Sequence, residues 1–180
     1  SKVKIIWYAQ SFELLNQAYK CMKENLDSKL VIKRISSNKE HYSVKDICVS
    51  DDIVLITVQS AIKNFEGDNA YARYLRENIN NIVCILDEAH HAPAYGFRKM
   101  ILSLKEENTN LWLLGLTATP TYMNDNRRGW LWKIFDQGII YEVEKSLLQK
   151  QGILAKENYI YIKTPNKIIL NEEVCHNWRG

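Results

Sequence analysis

Short apolar runs alternate with longer amphipathic stretches, and this alternation limits the possible folds of the chain more than any other feature. Five runs rich in β-branched residues are each too short for a buried helix, namely 3–8, 30–35, 53–57, 82–86 and 111–116. Several are apolar almost throughout, which is typical of strands covered on both faces in a parallel sheet. The runs therefore predict five buried strands.

The stretches between these runs have helical patterns. Ser11 is a residue type that caps helices, and apolar residues follow it at helical spacing, at Leu14, Leu15, Ala18, Tyr19 and Met22. Segments 67–80 and 97–107 show similar patterns. Strands that alternate with helices at this rhythm form right-handed βαβ units. We therefore expect an α/β fold in which helices flank an open parallel sheet.

The pattern weakens after Pro120. Segment 122–129 is rich in Asn, Asp and Arg and predicts an exposed loop. We expect a weak strand at 139–143, a short helix at 144–150 that Gly152 ends, and a further strand at 159–163. Segment 165–180 gives no clear pattern and is interpreted as a tail or linker.

Composition excludes some classes of protein without choosing among the rest. The 24 Lys and Arg residues against 21 Asp and Glu residues give a net charge of +3, which is too mild to predict a nucleic-acid partner. The four cysteines form no C-x-x-C pair, which argues against a zinc ribbon or disulfide framework and favours a reduced, cytoplasmic protein. No apolar run approaches the roughly 20 residues that span a bilayer, so no membrane partner is expected.

Two adjacent carboxylates, Asp87 and Glu88, follow the apolar run 82–86. Ligands of open α/β sheets bind at the carboxyl ends of such strands. One carboxylate can hold Mg²⁺ through its water shell, and the next can deprotonate an attacking water. This division of labour is what nucleotide hydrolysis needs. Two alternatives stay open, a solvated acidic turn and a metal site formed by Asp87, His90 and His91, although the latter lacks H-E-x-x-H spacing.

A second polar segment, Thr117-Ala118-Thr119-Pro120, follows the fifth apolar run. Two hydroxyls separated by one small residue fit a tight turn, where each can bond a carboxylate, a backbone group or a phosphate. Alone this segment indicates turn chemistry. Combined with an upstream strand that ends in D-E-A-H, it is a specific signal.

With these two motifs the sequence resembles the DEAD/DEAH-type helicases and translocases of superfamily 2, in the branch of type III restriction subunits and DNA-repair translocases. Residues 87–90 match their motif II, the Walker B element, and 117–119 match motif III. Segment 5–17 looks like motif Ia with its helix, and 56–60 looks like motif Ib. The resemblance covers residues 4–163 and implies a RecA-like, P-loop NTPase type of sheet.

The resemblance also implies roles for individual residues. Asp87 would bind, through water, the Mg²⁺ that accompanies ATP, and Glu88 would be the catalytic base. His90 would link the hydrolysis site to a second RecA-like domain of the same chain. Thr117 and Thr119 would couple hydrolysis to movement.

Three further residues, Ser11, Thr57 and Gln59, would contact nucleic-acid phosphates by the same resemblance, since small polar groups suit the backbone and not the bases. Helix capping or polarity at strand ends explains them equally well, and this alternative stays open. The branch often carries Pro-Thr in motif Ia, where this chain has Gln10-Ser11.

The glycine-rich phosphate loop G-x-x-x-x-G-K-[ST] does not occur in the sequence. In the family this loop precedes motif Ia, so the resemblance implies that residues 1–164 are a partial first motor domain, incomplete at the N-terminus. Residues 165–180 would lead toward the second domain. The resemblance also implies that the phosphate-loop strand lies in the middle of the sheet. We therefore expect unpaired backbone and missing core there, seen as an open slot or as rearranged pairing beside the motif III strand.

The resemblance therefore implies a fragment of an ATP-dependent helicase or translocase that moves on nucleic acid, with DNA favoured over RNA. The chain alone should neither hydrolyse ATP appreciably nor unwind a duplex. One alternative is a non-catalytic nucleic-acid-binding or scaffold module that kept the motor fold. Another is the motor subunit of a restriction system.

Overall fold

The structure, a computed structural model, describes residues 3–109, 111–120 and 125–155. Parallel strands form a single sheet in the spatial order β2-β3-β1-β4-β5. The strands are β1 (Lys4–Ala9), β2 (Ile32–Ile35), β3 (Ile53–Thr57), β4 (Ile82–Asp87) and β5 (Trp112–Leu116). The five predicted strands and the α/β fold with a parallel sheet are confirmed.

β1 is the central strand, and its backbone pairs on both sides. Ile6 lies opposite Val54 of β3 on one side and opposite Cys84 of β4 on the other. β4 and β5 pair directly, with Asp87 opposite Leu116. The expectation of an unpaired slot in the middle of the sheet is wrong, because the chain itself supplies the central strand and the strands pair continuously.

Helices cover both faces of the sheet. They are α1 (Phe12–Asn25), α2 (Val58–Asn64), α3 (Ala70–Asn78), α4 (Tyr95–Glu107) and α5 (Asp125–Ile134). A sixth helix, α6 (Lys145–Lys150), follows later in the chain. The predictions for α1, α3, α4 and α6 are confirmed, whereas α2 was not predicted. None of the helices in the described ranges is both long and apolar enough to cross a membrane.

The core has two parts, one on each face. Side chains of α2, α3, α4 and α5 pack on one face against buried strand residues such as Tyr8 and Leu86. On the other face, Leu15 of α1 packs against Ala9 and Leu55. Burial of apolar surface at roughly 25 cal/mol per Å² is the main force that holds these layers together.

β5 is an edge strand and is far less buried than β3, whose five residues are all buried. Trp112 is 74% exposed and Leu116 is 38% exposed. Apolar surface is therefore exposed at the β5 edge of the sheet and not in a central slot.

The predicted exposed loop at 122–129 is wrong from Asp125 onward, because α5 begins there. The reason lies further along the chain. Leu131 and Ile134, at i and i+3, bury their side chains against the core to 9% and 1% exposure. This packing stabilises a helix that the Asn, Asp and Gly residues at its start disfavour.

The chain divides into two compact units, Ser1–Gly138 and Ile139–Gly180. The weak strand predicted at 139–143 is not formed, and Ile140 and Tyr141 are 74% and 81% exposed. Among the described residues no strand pairs with this segment. The predicted strand at 159–163, the domain boundary at 164 and the tail at 165–180 lie outside the described residues.

Candidate functional site

The predicted site residues converge on one edge of the sheet because its strands are parallel. Thr57 ends β3 opposite Ala9, the last residue of β1, and Ser11 follows two positions later. Asp87 ends β4 opposite Leu116 of β5, and Thr117 follows at once. The carboxyl edge, where ligands of α/β sheets bind, therefore carries residues of all four predicted motifs.

Asp87 is half-buried at the end of β4, and its Oδ1 accepts a hydrogen bond from the Glu88 N–H at 3.1 Å. Burial raises the pKa of the Asp87 carboxyl, and the neighbouring Glu88 charge adds to this, while the hydrogen bond opposes it. A carboxylate that loses solvation in this way gains from a nearby cation.

The backbone of Glu88 is left-handed, with φ 52° and ψ 52°, and no other non-glycine residue in the described ranges has a positive φ. Such a conformation costs on the order of 1 kcal/mol or more and is concentrated at functional sites. It turns the chain sharply after β4. The Glu88 side chain is 41% exposed and lies beside His90.

His90 connects the two strongest motifs. Its Nδ1 lies 3.1 Å from Glu88 Oε2 and 3.0 Å from Thr117 Oγ1. Since a carboxylate can only accept, the network assigns the proton to Nδ1. The imidazole, on the turn after β4, thus joins the Glu88 carboxylate to the turn after β5.

The two threonines differ in their contacts. Thr117 Oγ1 contacts His90 and also accepts a hydrogen bond from the Thr119 backbone N–H at 3.1 Å. Thr119 itself is exposed, and its described hydrogen bond to the motif runs through its backbone. Among the described contacts, Thr117 is therefore connected to motif II directly and Thr119 through Thr117.

No three His, Cys, Asp or Glu side chains within the described ranges are arranged to hold a metal ion. This contradicts the alternative in which Asp87, His90 and His91 bind a metal together. The His90 and His91 rings pack on each other instead, with centroids 4.1 Å apart. A single half-buried carboxylate fits Mg²⁺ that keeps most of its water and binds nucleotide phosphates, since Mg²⁺ seldom uses an all-protein cage.

The three predicted phosphate-contacting residues line one cavity of about 380 Å³. Its lining residues are Gln10, Ser11, Phe12, Glu13, Ser37, Thr57, Gln59 and Ser60. Among these described residues, hydroxyl and amide groups dominate the polar part of the lining, with one carboxylate and neither Lys nor Arg. The cavity is thus suited to hydrogen bonding more than to charge neutralisation.

Two of the three residues also cap helices, as the alternative interpretation allowed. Ser11 Oγ accepts from the Leu14 N–H at 3.4 Å. Thr57 is 3% exposed, and its hydroxyl accepts from the Ser60 N–H and donates to Ser60 Oγ at 2.9 Å. The Ser60 hydroxyl therefore keeps its own proton to donate. Ser60 was included in motif Ib but was assigned no role of its own from the sequence, although Thr57 is a residue type that caps helices.

Ser37 lies in the cavity wall on a segment that a polar network holds. His41 Nδ1 is 2.7 Å from Ser36 Oγ, and His41 Nε2 is 2.9 Å from Asn16 Oδ1 on α1. Arg34 donates to the same Asn16 oxygen at 2.6 Å. Burial and the Arg34 charge lower the pKa of His41. The network ties the segment after β2 to α1 and so positions Ser37.

Comparison of the fold with solved structures gives a match to the helicase domain of Hef from Pyrococcus furiosus, with a TM-score of 0.54 and 16% sequence identity. The match covers 75% of this chain and 28% of the Hef chain, so this chain spans less than a third of that structure's length. At this identity the likeness shows the fold alone. A comparison with curated proteins gives no match.

The predicted motifs, the sheet order and the Hef likeness agree on a RecA-like domain of the superfamily 2 helicase type. Residues 1–122, which include the four predicted motifs, match the family described as type III restriction enzyme, res subunit. The chain belongs to this family.

Proposed function

We propose that this chain is part of the first motor domain of an ATP-dependent nucleic-acid helicase or translocase. The observation that carries the proposal is the contact of His90 with both Glu88 and Thr117, at 3.1 and 3.0 Å. If ATP hydrolysis is to drive movement, the residue that activates the water must be connected to an element that can move. His90 supplies a connection of this kind between two strand ends.

The two carboxylates have environments that suit different roles. Asp87 is half-buried and held by the Glu88 N–H, which suits a fixed ligand to Mg²⁺ through water. Glu88 is 41% exposed on a left-handed turn, which suits a base that reaches an attacking water. ATP with Mg²⁺ supplies the phosphoryl group to be transferred, and the protein contributes position and electrostatics.

We propose that ATP hydrolysis is coupled to movement through a chain of contacts from Glu88 through His90 to Thr117. When the attacking water changes its charge or position, the Glu88–His90 contact would change. His90 Nδ1 contacts both Glu88 and Thr117, so it would transmit this change to Thr117. Thr119 would follow through its hydrogen bond to Thr117. His90 would also meet the second RecA-like domain, which completes the ATP site.

The nucleic acid is proposed to lie along the cavity that contains Ser11, Thr57 and Gln59, with Ser60 and Ser37 beside them. Hydroxyl and amide groups there would contact backbone phosphates, not bases. The family match to a restriction enzyme subunit favours DNA over RNA. It also favours a second candidate, in which the motor serves a restriction system.

The test is ATP turnover by the full-length protein that contains this chain, measured without nucleic acid and with single-stranded DNA, duplex DNA or RNA. We expect one nucleic acid to stimulate turnover. Glu88→Gln should reduce the rate by roughly 10²–10⁴-fold, because a general base is lost. Glu107→Gln, at an exposed position at the end of α4, is the matched control and should leave the rate unchanged.

The pattern of rates separates the candidates. Turnover that no nucleic acid stimulates, or that survives Glu88→Gln, contradicts the motor. A folded full-length protein with no turnover under any condition favours the non-catalytic binding module. Stimulation by duplex DNA together with an associated nuclease activity favours the restriction motor.

A further inference from the structure

One buried polar atom remains without a hydrogen bond in the described part of the chain, the indole Nε1 of Trp7 in β1. Buried donors are nearly always paired, so an unpaired one calls for an explanation in terms of a ligand or a function. The Trp7 ring itself has an ordinary place, because it packs against the cluster on the α1 face of the sheet. The N–H group is what this packing does not explain.

The register of the sheet brings this donor toward Asp87. Trp7 lies opposite Ile85 on β4, and Asp87 is two residues beyond Ile85. Side chains two positions apart on a strand lie on the same face, and diagonal neighbours on adjacent strands are within reach of a long aromatic side chain. Trp7 and Asp87 are therefore diagonal neighbours on the α1 face.

The two groups are chemically complementary. The buried Trp7 N–H is a donor without a hydrogen-bond partner among the described residues, and the Asp87 carboxylate is an acceptor. The Oδ1 atom of Asp87 already accepts from the Glu88 N–H.

We propose that Trp7 is a positioning residue, whose indole N–H donates to the Asp87 carboxylate and fixes its orientation toward Mg²⁺. Two donors, the Glu88 backbone and the Trp7 indole, would then hold the carboxylate from two strands and leave its outward lone pairs for the hydrated ion. Donors of this kind commonly tune the groups that bind a metal. The inference rests on the proposed role of Asp87 as the Mg²⁺ residue.

The first test observes the contact without any metal or nucleotide. In the ¹⁵N-labelled chain, Trp7→Phe identifies the Trp7 indole resonance by its loss. Asp87→Asn removes the charge and should shift that resonance more than any other indole signal. Asp68→Asn, at an 83% exposed side chain, is the control and should leave it unchanged. An unchanged Trp7 signal in Asp87→Asn overturns the proposal, and this variant leaves the Trp7 ring in place.

The second test uses Mn²⁺ alone as the probe. Millimolar Mn²⁺ should broaden the Trp7 indole and the Glu88 amide signals in the wild-type chain, and Asp87→Asn should abolish the effect. Trp7→Phe keeps an aromatic ring but removes the donor, and it should weaken Mn²⁺ binding about 10-fold, read at the Glu88 amide. Equal affinity in Trp7→Phe and wild type, or no broadening in the wild type, overturns the proposal.

These readouts are independent of ATP turnover, so the two proposals can fail separately. If the Trp7 signal responds to Asp87→Asn and to Mn²⁺ while Glu88→Gln leaves ATP turnover unchanged, the positioning role is supported and the motor function is contradicted. If ATP turnover depends on Glu88 while Asp87→Asn leaves the Trp7 signal unchanged, the motor function is supported and the positioning role is contradicted.

Discussion

The His90 imidazole and the Thr117 hydroxyl lie 3.0 Å apart, although one follows β4 and the other follows β5. Direct pairing of these strands, with Asp87 opposite Leu116, is what makes the contact possible. The two motifs therefore form one hydrogen-bonded unit. A substitution in either motif should therefore perturb the conformation of the other.

Thr117→Val tests this unit by replacing the hydroxyl with a methyl group of similar shape. His90 and the Thr119 N–H both lose a partner, so we expect a loss of about 1 kcal/mol in unfolding free energy. The His90 ring resonances of the chain should shift as well. Thr117→Ser keeps the hydroxyl and is the matched control. If both variants leave the His90 resonances as in the wild type, the contact is not formed in solution.

Gly115→Ala should destabilise the chain, because β5 packs too closely at this point for a side chain. An added Cβ would lie 2.7 Å from Phe135 Cζ and 2.8 Å from Ala89 Cβ. Overpacking of this kind costs typically 1–3 kcal/mol, to be read as a lower midpoint in urea denaturation.

Gly129→Ala is the matched control for this substitution. An added Cβ at Gly129 meets no atom of the described residues within 4 Å, and the residue lies inside α5. Alanine has a higher helix propensity than glycine by about 1 kcal/mol, so this variant should be neutral or more stable. Equal destabilisation by both variants would show that close packing around Gly115 is not the cause of the stability lost in Gly115→Ala.

A buried pair of hydroxyls links β1 to α3. Tyr8 Oη and Tyr71 Oη are 2.9 Å apart and fully buried, and burial raises the pKa of both well above the ordinary value. Each single change to Phe leaves a buried hydroxyl without this partner and should cost about 1–3 kcal/mol. The double variant should cost less than the sum of the two, measured by denaturant unfolding. Simple additivity would contradict a direct bond.

The stability of the chain should depend on pH through His41. Its pKa is lowered in the folded chain, so the unfolded chain binds the proton more readily. This contribution to stability is present above the unfolded value of about 6.5 and is lost as the pH falls through the folded pKa. Nearby charges from Arg34 and Glu40 act in opposite directions, the first lowering and the second raising the pKa.

His41→Gln keeps a donor and an acceptor but cannot titrate. The difference in unfolding free energy between wild type and variant should therefore shrink as the pH is lowered from 7 to 5. If the two profiles run parallel over this range, His41 does not titrate differently in the folded and unfolded chain.

The sheet could be predicted from the sequence because its strands are short, apolar and β-branched, and their pattern is local. The helix α5 could not, because Leu131 and Ile134 hold it by packing against the core, and the polar start at Asp125 indicates a loop. The expectation of a central slot was wrong because the order of strands depends on pairing between segments that are distant in the sequence. Only the structure shows β1 pairing with both β3 and β4.

The candidate site follows the same division. Asp87, Glu88, Thr117 and the residues Ser11, Thr57 and Gln59 could be proposed from short motifs, and the structure brings them to one edge of the sheet. Their roles stay predictions. The left-handed backbone of Glu88 and the diagonal approach of Trp7 to Asp87 depend on contacts between strands, which no motif encodes.

The exposed edge of β5 has a practical consequence for anyone who purifies this chain. Within the described residues no strand pairs with its outer side, so its backbone groups, flanked by Trp112 at 74% exposure and Leu116 at 38%, offer a template onto which another strand can add. Self-association through this edge would set an upper limit on the concentration at which the isolated polypeptide stays monodisperse. A lysine at position 112 should raise that limit, because charged side chains at sheet edges discourage such growth.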